Sequence, residues 1–276
     1  KYYYMEFKAF KMDGLGNDFI IIDRRKNSIS IVKEKIVELG KRDNIGFDQL
    51  IFLDEIDPQT PNYIPITIFN SDGEEVEACG NGSRCVAKLI CDEKKIEHAA
   101  ILAGNRVLKA QKISENNVRI VMGDPIFSWQ KIPLSKNIDC KNINLKIGNE
   151  EFKNGYALNV GNPHIVFFVD DCYKYNLKQI GPLIENHYLF PEKTNVTFAQ
   201  IKDSNNILVN VWERGAGLTK ACGTAACATG VVAFEKKIAG NNNNIHFKEG
   251  FLNIEYDGII SMTGPVSDIK EIKIKL

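Results

Sequence analysis

Residues 70–86 read NSDGEEVEACGNGSRCV, and residues 213–229 read ERGAGLTKACGTAACAT. In each stretch a polar residue that ends an apolar run, Asn70 or Glu213, stands nine positions ahead of a Cys-Gly pair, Cys79-Gly80 or Cys222-Gly223. Small residues follow both pairs and open segments of helical composition, the first from near Gly82 to Cys91. One motif is therefore present in two copies, and the fold depends on how far the duplication extends.

It extends across most of the chain. Gly16-Asn17-Asp18-Phe19 leads into an apolar strand ending at Asp23, and Gly161-Asn162-Pro163-His164 leads into one ending at Asp170. Asp48-Gln49 before Leu50–Phe52 is matched by Thr194-Asn195 before Val196–Phe198, and Ile66–Phe69 by Leu208–Trp212. These markers keep their order at an offset of about 143 to 146 residues, too long for a solenoid repeat. The pattern predicts an α+β fold of two similar, pseudo-symmetric domains facing each other across a central cleft. The first domain spans 1–124 and the second 125–264; the C-terminal strand, 265–276, is expected to join the first, the alternative being that it closes the second.

Within the first copy, Met5–Phe10 reads as a strand, Asp13–Asn17 as a loop, Ser30–Leu39 as an amphipathic helix ended by Gly40, and Tyr63–Phe69 as a strand. Val107–Gln111 and Val118–Met122 form a hairpin pattern about Asn116-Asn117. The polar stretch from Gly123 to Asn154 reads as a linker and edge region. Asn241–Asn244 reads as a surface loop, and Asn44 as a residue tolerating a left-handed turn.

The chain of 276 residues is 44% apolar and carries 35 basic against 35 acidic residues, so nothing in it favours a nucleic-acid partner. No apolar run approaches the roughly 18 residues of a membrane span, and the start, KYYYMEFKAFKMDG, lacks the apolar core of a signal peptide. Seven cysteines, an odd count in a chain able to bury its own core, point to free thiols in a reducing compartment, and hence to a cytoplasmic location.

Cys79 and Cys222 differ from the other five in standing at helix starts. Unpaired backbone N–H groups there stabilise a thiolate and lower its pKa, and the same groups can cradle a carboxylate. Two such starts can hold one carboxylate and offer one sulfur to each side of the adjacent carbon, which is racemase or epimerase chemistry with two bases. Cys85, Cys91 and Cys227 read as packed core thiols, while Cys140 and Cys172 lie in polar, loop-like sequence and receive no role. Metal is a weaker reading, because no C-x-x-C pair occurs and the four histidines are scattered. A cysteine hydrolase using His164 leaves the second Cys-Gly motif without purpose. Gly14-x-Gly16 lacks the third glycine of a dinucleotide loop.

Asn17, Gln49, Asn70, Asn162, His164, Asn195, Glu213 and Arg214 end strands at duplicated points and would converge if the copies face each other. Amides suit a zwitterionic small-molecule substrate, Arg214 a second carboxylate, and Glu213 an ammonium. Arg84 and Asp72 read as structural.

At these residues the sequence resembles the diaminopimelate epimerases: Gly16-Asn17-Asp18-Phe19, Gly46-Phe47-Asp48-Gln49, the run from Asn70 to Cys85, Gly161-Asn162-Pro163-His164, Thr194-Asn195-Val196, Glu213-Arg214 and Ala221-Cys222-Gly223-Thr224. The resemblance covers nearly the whole chain, and the two long cysteine motifs are its specific part. It implies interconversion of LL- and meso-diaminopimelate by a thiol and a thiolate, with no cofactor, neither pyridoxal phosphate nor metal. Cys79 would take the proton from the LL isomer and Cys222 from the meso isomer. Gly80, Asn81, Gly223 and Thr224 would hold the reacting carboxylate, and Asn70, Asn162, Asn195 and Arg214 the distal end. Glu213 and His164 would sit at the reacting centre, with Asn17 and Gln49 alongside. The resemblance also implies closure on substrate and a homodimer. Departures from the family pattern are Leu218, Lys220, Ala225 and Asn44; the charge of Lys220 so near Cys222 could shift its pKa. A two-cysteine racemase acting on proline or hydroxyproline shares the chemistry, but its substrate has one carboxylate and no need of Arg214. A non-catalytic binding protein has no use for two activated thiols.

Overall fold

The computed structural model describes residues 6–76 and 80–275, so Cys79 lies outside the described residues. In chain order the elements are β1 (Glu6–Gly14), β2 (Asn17–Asp23), α1 (Lys33–Gly40), β3 (Gln49–Leu53), β4 (Tyr63–Asn70), β5 (Glu75–Val76), α2 (Gly80–Lys94), β6 (His98–Ala103), β7 (Arg106–Ser114) and β8 (Asn117–Gly123). There follow β9 (Ile143–Ile147), β10 (Glu150–Asn159), β11 (Pro163–Phe168), α3 (Leu177–Glu185), β12 (Asn195–Ile201), β13 (Asn206–Glu213), β14 (Gly217–Leu218), α4 (Gly223–Glu235), β15 (Asn242–Phe247), β16 (Gly250–Tyr256), β17 (Ile260–Pro265) and β18 (Lys270–Lys275). The chain divides into two compact units, residues 1–120 with 264–276, and residues 121–263.

In the first unit β1 and β2 form a tight hairpin whose turn, Leu15-Gly16, has both residues at positive φ, 58° and 80°, the geometry that matches strand twist. Strand β2 then pairs parallel to β3, β3 antiparallel to β4, β4 antiparallel to β5 and parallel to β6, and β6 antiparallel to β7. The C-terminal strand β18 pairs antiparallel with β1, Glu6 opposite Lys275.

The second unit repeats this order and sense. Strands β10 and β11 are antiparallel, β11 and β12 parallel, β12 and β13 antiparallel. Strand β13 pairs antiparallel with β14 and parallel with β15, which pairs antiparallel with β16. Strand β9 takes against β10 the place that β18 takes against β1. The duplication read in the sequence is thus a duplication of strand connectivity.

Each unit packs its strands around one buried helix. From Asn81 to Cys91 every residue of α2 is buried, against β1, β2, β6 and β7. In α4 the buried run is Ala225 to Ala233, against β10, β11, β12, β15 and β16. A helix that is apolar or small all round is a buried one, as ACATGVVA in α4 is, whereas α2 also buries Arg84 and Lys88. Gly230 of α4 lies so close to β16 that a Cβ would stand 2.7 Å from Cγ2 of Ile254.

Several expectations need correction. Residues 125–154 are no linker: Ile132, Leu134, Cys140, Ile143, Leu145 and Phe152 are buried in one cluster with Phe167 and Phe198. Cys140 and Cys172 do lie in turns, as read, but they are packed thiols of that cluster; Cys85, Cys91 and Cys227 are buried as expected. Asn242 opens β15 and Asn243 is 1% exposed, its amide donating to the Gly240 carbonyl, so this is a strand start and not a loop. Positive φ belongs to Gly46 and not to Asn44, whose amide instead donates to the Glu38 carbonyl at the end of α1. Strand β1 runs on to Gly14, which shortens the expected loop to a two-residue turn. Arg84 is fully buried on α2.

Candidate active site

The ends of β2, β3 and β4 and the start of α2 bring the expected amides of the first unit together. Register puts Phe19 beside Gln49 and Gln49 opposite Asn70, so three strand ends share one edge. The Asn81 amide donates to Oδ1 of Asn17 at 2.8 Å, and the Asn17 amide donates to Oδ2 of Asp48 at 3.1 Å. The Gln49 amide donates to Oδ1 of Asn70 at 2.9 Å. Asp48 is itself locked by reciprocal backbone bonds with Asp18, and Arg42 bridges both carboxylates. Sequence reasoning missed this Asp18–Arg42–Asp48 support, which a lone Arg42 outside the motifs did not signal. Gly80 is the first residue of α2.

In the second unit the corresponding ends carry Asn162, His164, Asn195, Glu213 and Arg214. His164 pairs parallel with Asn195, and its Nε2 lies 2.8 Å from Oδ1 of Asn162. The Asn195 amide donates to the Pro163 carbonyl at 2.8 Å, and its Oδ1 accepts the Arg214 backbone N–H at 2.9 Å. The Arg214 guanidinium is exposed and donates to the Glu192 carbonyl at 3.1 Å. Burial, helped by the nearby Arg214 charge, drives the His164 pKa down to about 3, so its ring is neutral at any physiological pH.

Among the described residues, Oε1 of Gln49, Oδ1 of Asn81 and Nδ1 of His164 are buried polar atoms with no hydrogen-bond partner. Leaving such an atom unpaired costs about 1–3 kcal/mol, a cost that a polar ligand can offset.

Cys222 occupies the N-cap of α4 and is 5% exposed. Its sulfur accepts the Ala225 N–H at 3.4 Å and lies 3.5 Å from Oγ1 of Thr224. These donors favour the thiolate, as expected of a helix start, but they lose. Burial first, and then the negative charge of Glu213, push the thiol pKa well above the ordinary cysteine value. The sequence revealed the helix terminus and not the carboxylate opposite it. Lys220 is exposed, and the leading causes of this shift lie elsewhere. Glu213 is in turn raised by burial, and held back by hydrogen bonds from Thr219 and from Cys222. The pair is therefore a thiol donating to a carboxylate. Gly223 and Thr224, the first residues of α4, turn their half-exposed surface outward beside it.

Among the described residues no group of three or more His, Cys, Asp and Glu is placed to hold a metal ion, and no helix is long and apolar enough to cross a membrane.

Duplicated connectivity, with one buried helix in each copy, defines the pseudo-symmetric two-domain α+β fold shared by the PhzF proteins and the diaminopimelate epimerases. The family model for diaminopimelate epimerase matches residues 9–128 and 156–269, and the chain belongs to the diaminopimelate epimerase family. It is 49% identical over 277 residues to the diaminopimelate epimerase of Pelagibacter ubique (strain HTCC1062), covering 99% of this chain and 100% of that one. Among solved structures, a Bacillus anthracis phenazine biosynthesis protein of the PhzF family superposes with TM-score 0.62 at 15% identity, over 98% of this chain and 99% of that one. A hydroxyproline epimerase from Agrobacterium vitis, with bound trans-4-hydroxy-L-proline, superposes with TM-score 0.63 at 12% identity, over 98% and 93%. At such identities the likeness shows the fold alone.

Proposed function

We propose that this protein interconverts LL- and meso-2,6-diaminopimelate without a cofactor, exchanging the α-proton between the thiols of Cys79 and Cys222. The observation that carries the reading is Cys222: a buried thiol at the start of α4, bonded to Glu213, in a chain of the diaminopimelate epimerase family.

The thiolate of one cysteine takes the proton from the α-carbon, and the electron pair left behind spreads into the adjacent carboxylate. The thiol of the other cysteine delivers its proton to the opposite face. The product is the epimer, and thiol and thiolate have exchanged places. Burial and Glu213 favour the protonated form at Cys222, which supports Cys79 as base and Cys222 as acid in the LL-to-meso direction. Backbone N–H groups at Gly223-Thr224 and Gly80-Asn81 stabilise charge developing on the carboxylate. His164, kept neutral, orients Asn162, and Arg214 with Asn70, Asn162 and Asn195 holds the distal amino-acid end. Family membership supports a place in the supply of lysine and peptidoglycan precursors, cytoplasmic location and a homodimer.

The test is incubation of the reduced protein with LL-diaminopimelate in deuterated water. One deuterium should enter the α-carbon as the meso isomer forms, and Cys79→Ala or Cys222→Ala should abolish epimerisation. Label entering proline or hydroxyproline, and not diaminopimelate, would overturn the substrate assignment; full activity of Cys79→Ala would overturn the two-base mechanism.

A further inference from the structure

We propose that Glu185, at the end of α3, is a positioning residue for recognition of the distal carboxylate: it fixes the backbone that presents Arg214. The inference rests on the assignment of Arg214 given above.

Glu185 is 5% exposed, and both its oxygens are engaged. Oε2 accepts the indole N–H of Trp212 at 2.7 Å, and Oε1 accepts the backbone N–H of Gly215 at 2.9 Å. These partners flank Glu213-Arg214. The Arg214 N–H is bound at 2.9 Å by Oδ1 of Asn195, itself 2% exposed. Consecutive backbone N–H groups, those of Arg214 and Gly215, thus end on buried side chains from two different elements, β12 and α3. Gly215 has φ +75°, a conformation that lets the chain turn sharply after Arg214. Arg214 is exposed, and the fixed backbone beneath it is what aims a long flexible side chain.

A carboxylate is required here and an amide is not equivalent. Two N–H donors arrive on two different oxygens, so a glutamine must set its own NH2 against one of them. Helix α3 is also held to its place: a Cβ on Gly181 would stand 2.5 Å from Cγ of Trp212, so the helix and the indole touch without a gap. No neighbouring motif explains a buried acid at position 185, and its partners are those of the Arg214 loop.

The experiment uses the full chain with Glu185→Gln, Trp212→Phe and the double variant, measuring KM and kcat for LL-diaminopimelate and the hydrogen exchange of the Gly215 amide. Loss of uniform substrate binding raises KM and spares kcat. Glu185→Gln should therefore raise KM by about tenfold or more, with kcat changed less than about threefold, and should speed Gly215 exchange. Adding Trp212→Phe should recover part of the loss, because the amide NH2 then meets no opposing indole N–H, a rescue that a merely structural role would not give. An unchanged KM with unchanged Gly215 exchange overturns the proposal, as does a loss carried by kcat alone. If the unaltered protein moves no α-proton of diaminopimelate, the functional reading fails; the amide measurement still decides whether Glu185 holds the loop.

Discussion

Thr219 donates its hydroxyl hydrogen to Oε1 of Glu213, so the carboxylate that receives the Cys222 thiol is itself held by a neighbour on the segment leading into α4. Burial raises the Glu213 pKa, and Thr219 is the first of the two groups restraining it. Removing the hydroxyl lets Glu213 protonate at higher pH and lose its capacity to accept from Cys222. In Thr219→Val the acid limb of the pH profile of kcat/KM should move upward, and activity near neutrality should fall about tenfold, the scale of a hydrogen bond to a charged group. A profile with an unmoved acid limb would reduce Thr219 to packing.

The same carboxylate sets the reactivity of Cys222. A thiol raised by burial and by a nearby negative charge reacts slowly with alkylating agents at neutral pH, since the thiolate is the nucleophile. Modification of Cys222 by iodoacetamide, followed by mass spectrometry of its peptide, should accelerate only above the ordinary cysteine range. In Glu213→Gln the negative charge is gone, and the onset should shift to lower pH by about one unit, the scale of removing one close charge. An onset unchanged in that variant would show that burial alone sets the thiol.

The duplication was legible because its markers are rigid ones. Gly16-Asn17 and Gly161-Asn162 lead into β2 and β11, Asn70 and Glu213 end β4 and β13, and Gly80 and Gly223 begin α2 and α4, so small local constraints recur at fixed spacing. What escaped was burial set by distant partners. Between 128 and 154 the apolar residues stand singly among polar ones, and β9, INLKI, offers only a five-residue alternation. Helix α3 contains Gly181 and Pro182, which break the usual pattern; its place is fixed by contact with Trp212, thirty residues further on. Asn243 is buried by strand pairing to Ile254, which its tract of four asparagines concealed. For the site, the residue types were legible and their electrostatics were not. A helix start predicts a lowered thiol pKa; only the fold shows that Cys222 is enclosed and faces Glu213.

Gly181 offers a direct test of how tightly α3 is seated. An alanine there gains up to about 1 kcal/mol of helix propensity, but its Cβ meets the Trp212 ring at 2.5 Å, near the root of a side chain that cannot swing aside. Overpacking of this kind costs about 1–3 kcal/mol, and at such a separation the upper end applies. Gly181→Ala should therefore destabilise the protein by about 2 kcal/mol, read as a lowered urea midpoint at unchanged m-value. A stability equal to or above that of the unaltered chain would mean that α3 shifts freely on Trp212.

His164 ties stability to pH in a definite direction. Folded, its ring resists protonation down to about pH 3, because it is wholly buried and faces the positive charge of Arg214. Unfolded, it titrates near its ordinary value of 6.5. Between those values the unfolded chain binds more protons than the folded one, so unfolding becomes easier as pH falls from 6.5 toward 3. One proton contributes at most about 1.4 kcal/mol per pH unit. Urea denaturation at a series of pH values between about 4 and 6 should show this slope in the unaltered protein. His164→Gln, which cannot titrate, should be flatter over the same window, whatever its stability at neutral pH. Parallel slopes for the two proteins would show that His164 binds its proton equally in both states, and that its burial does not keep it neutral.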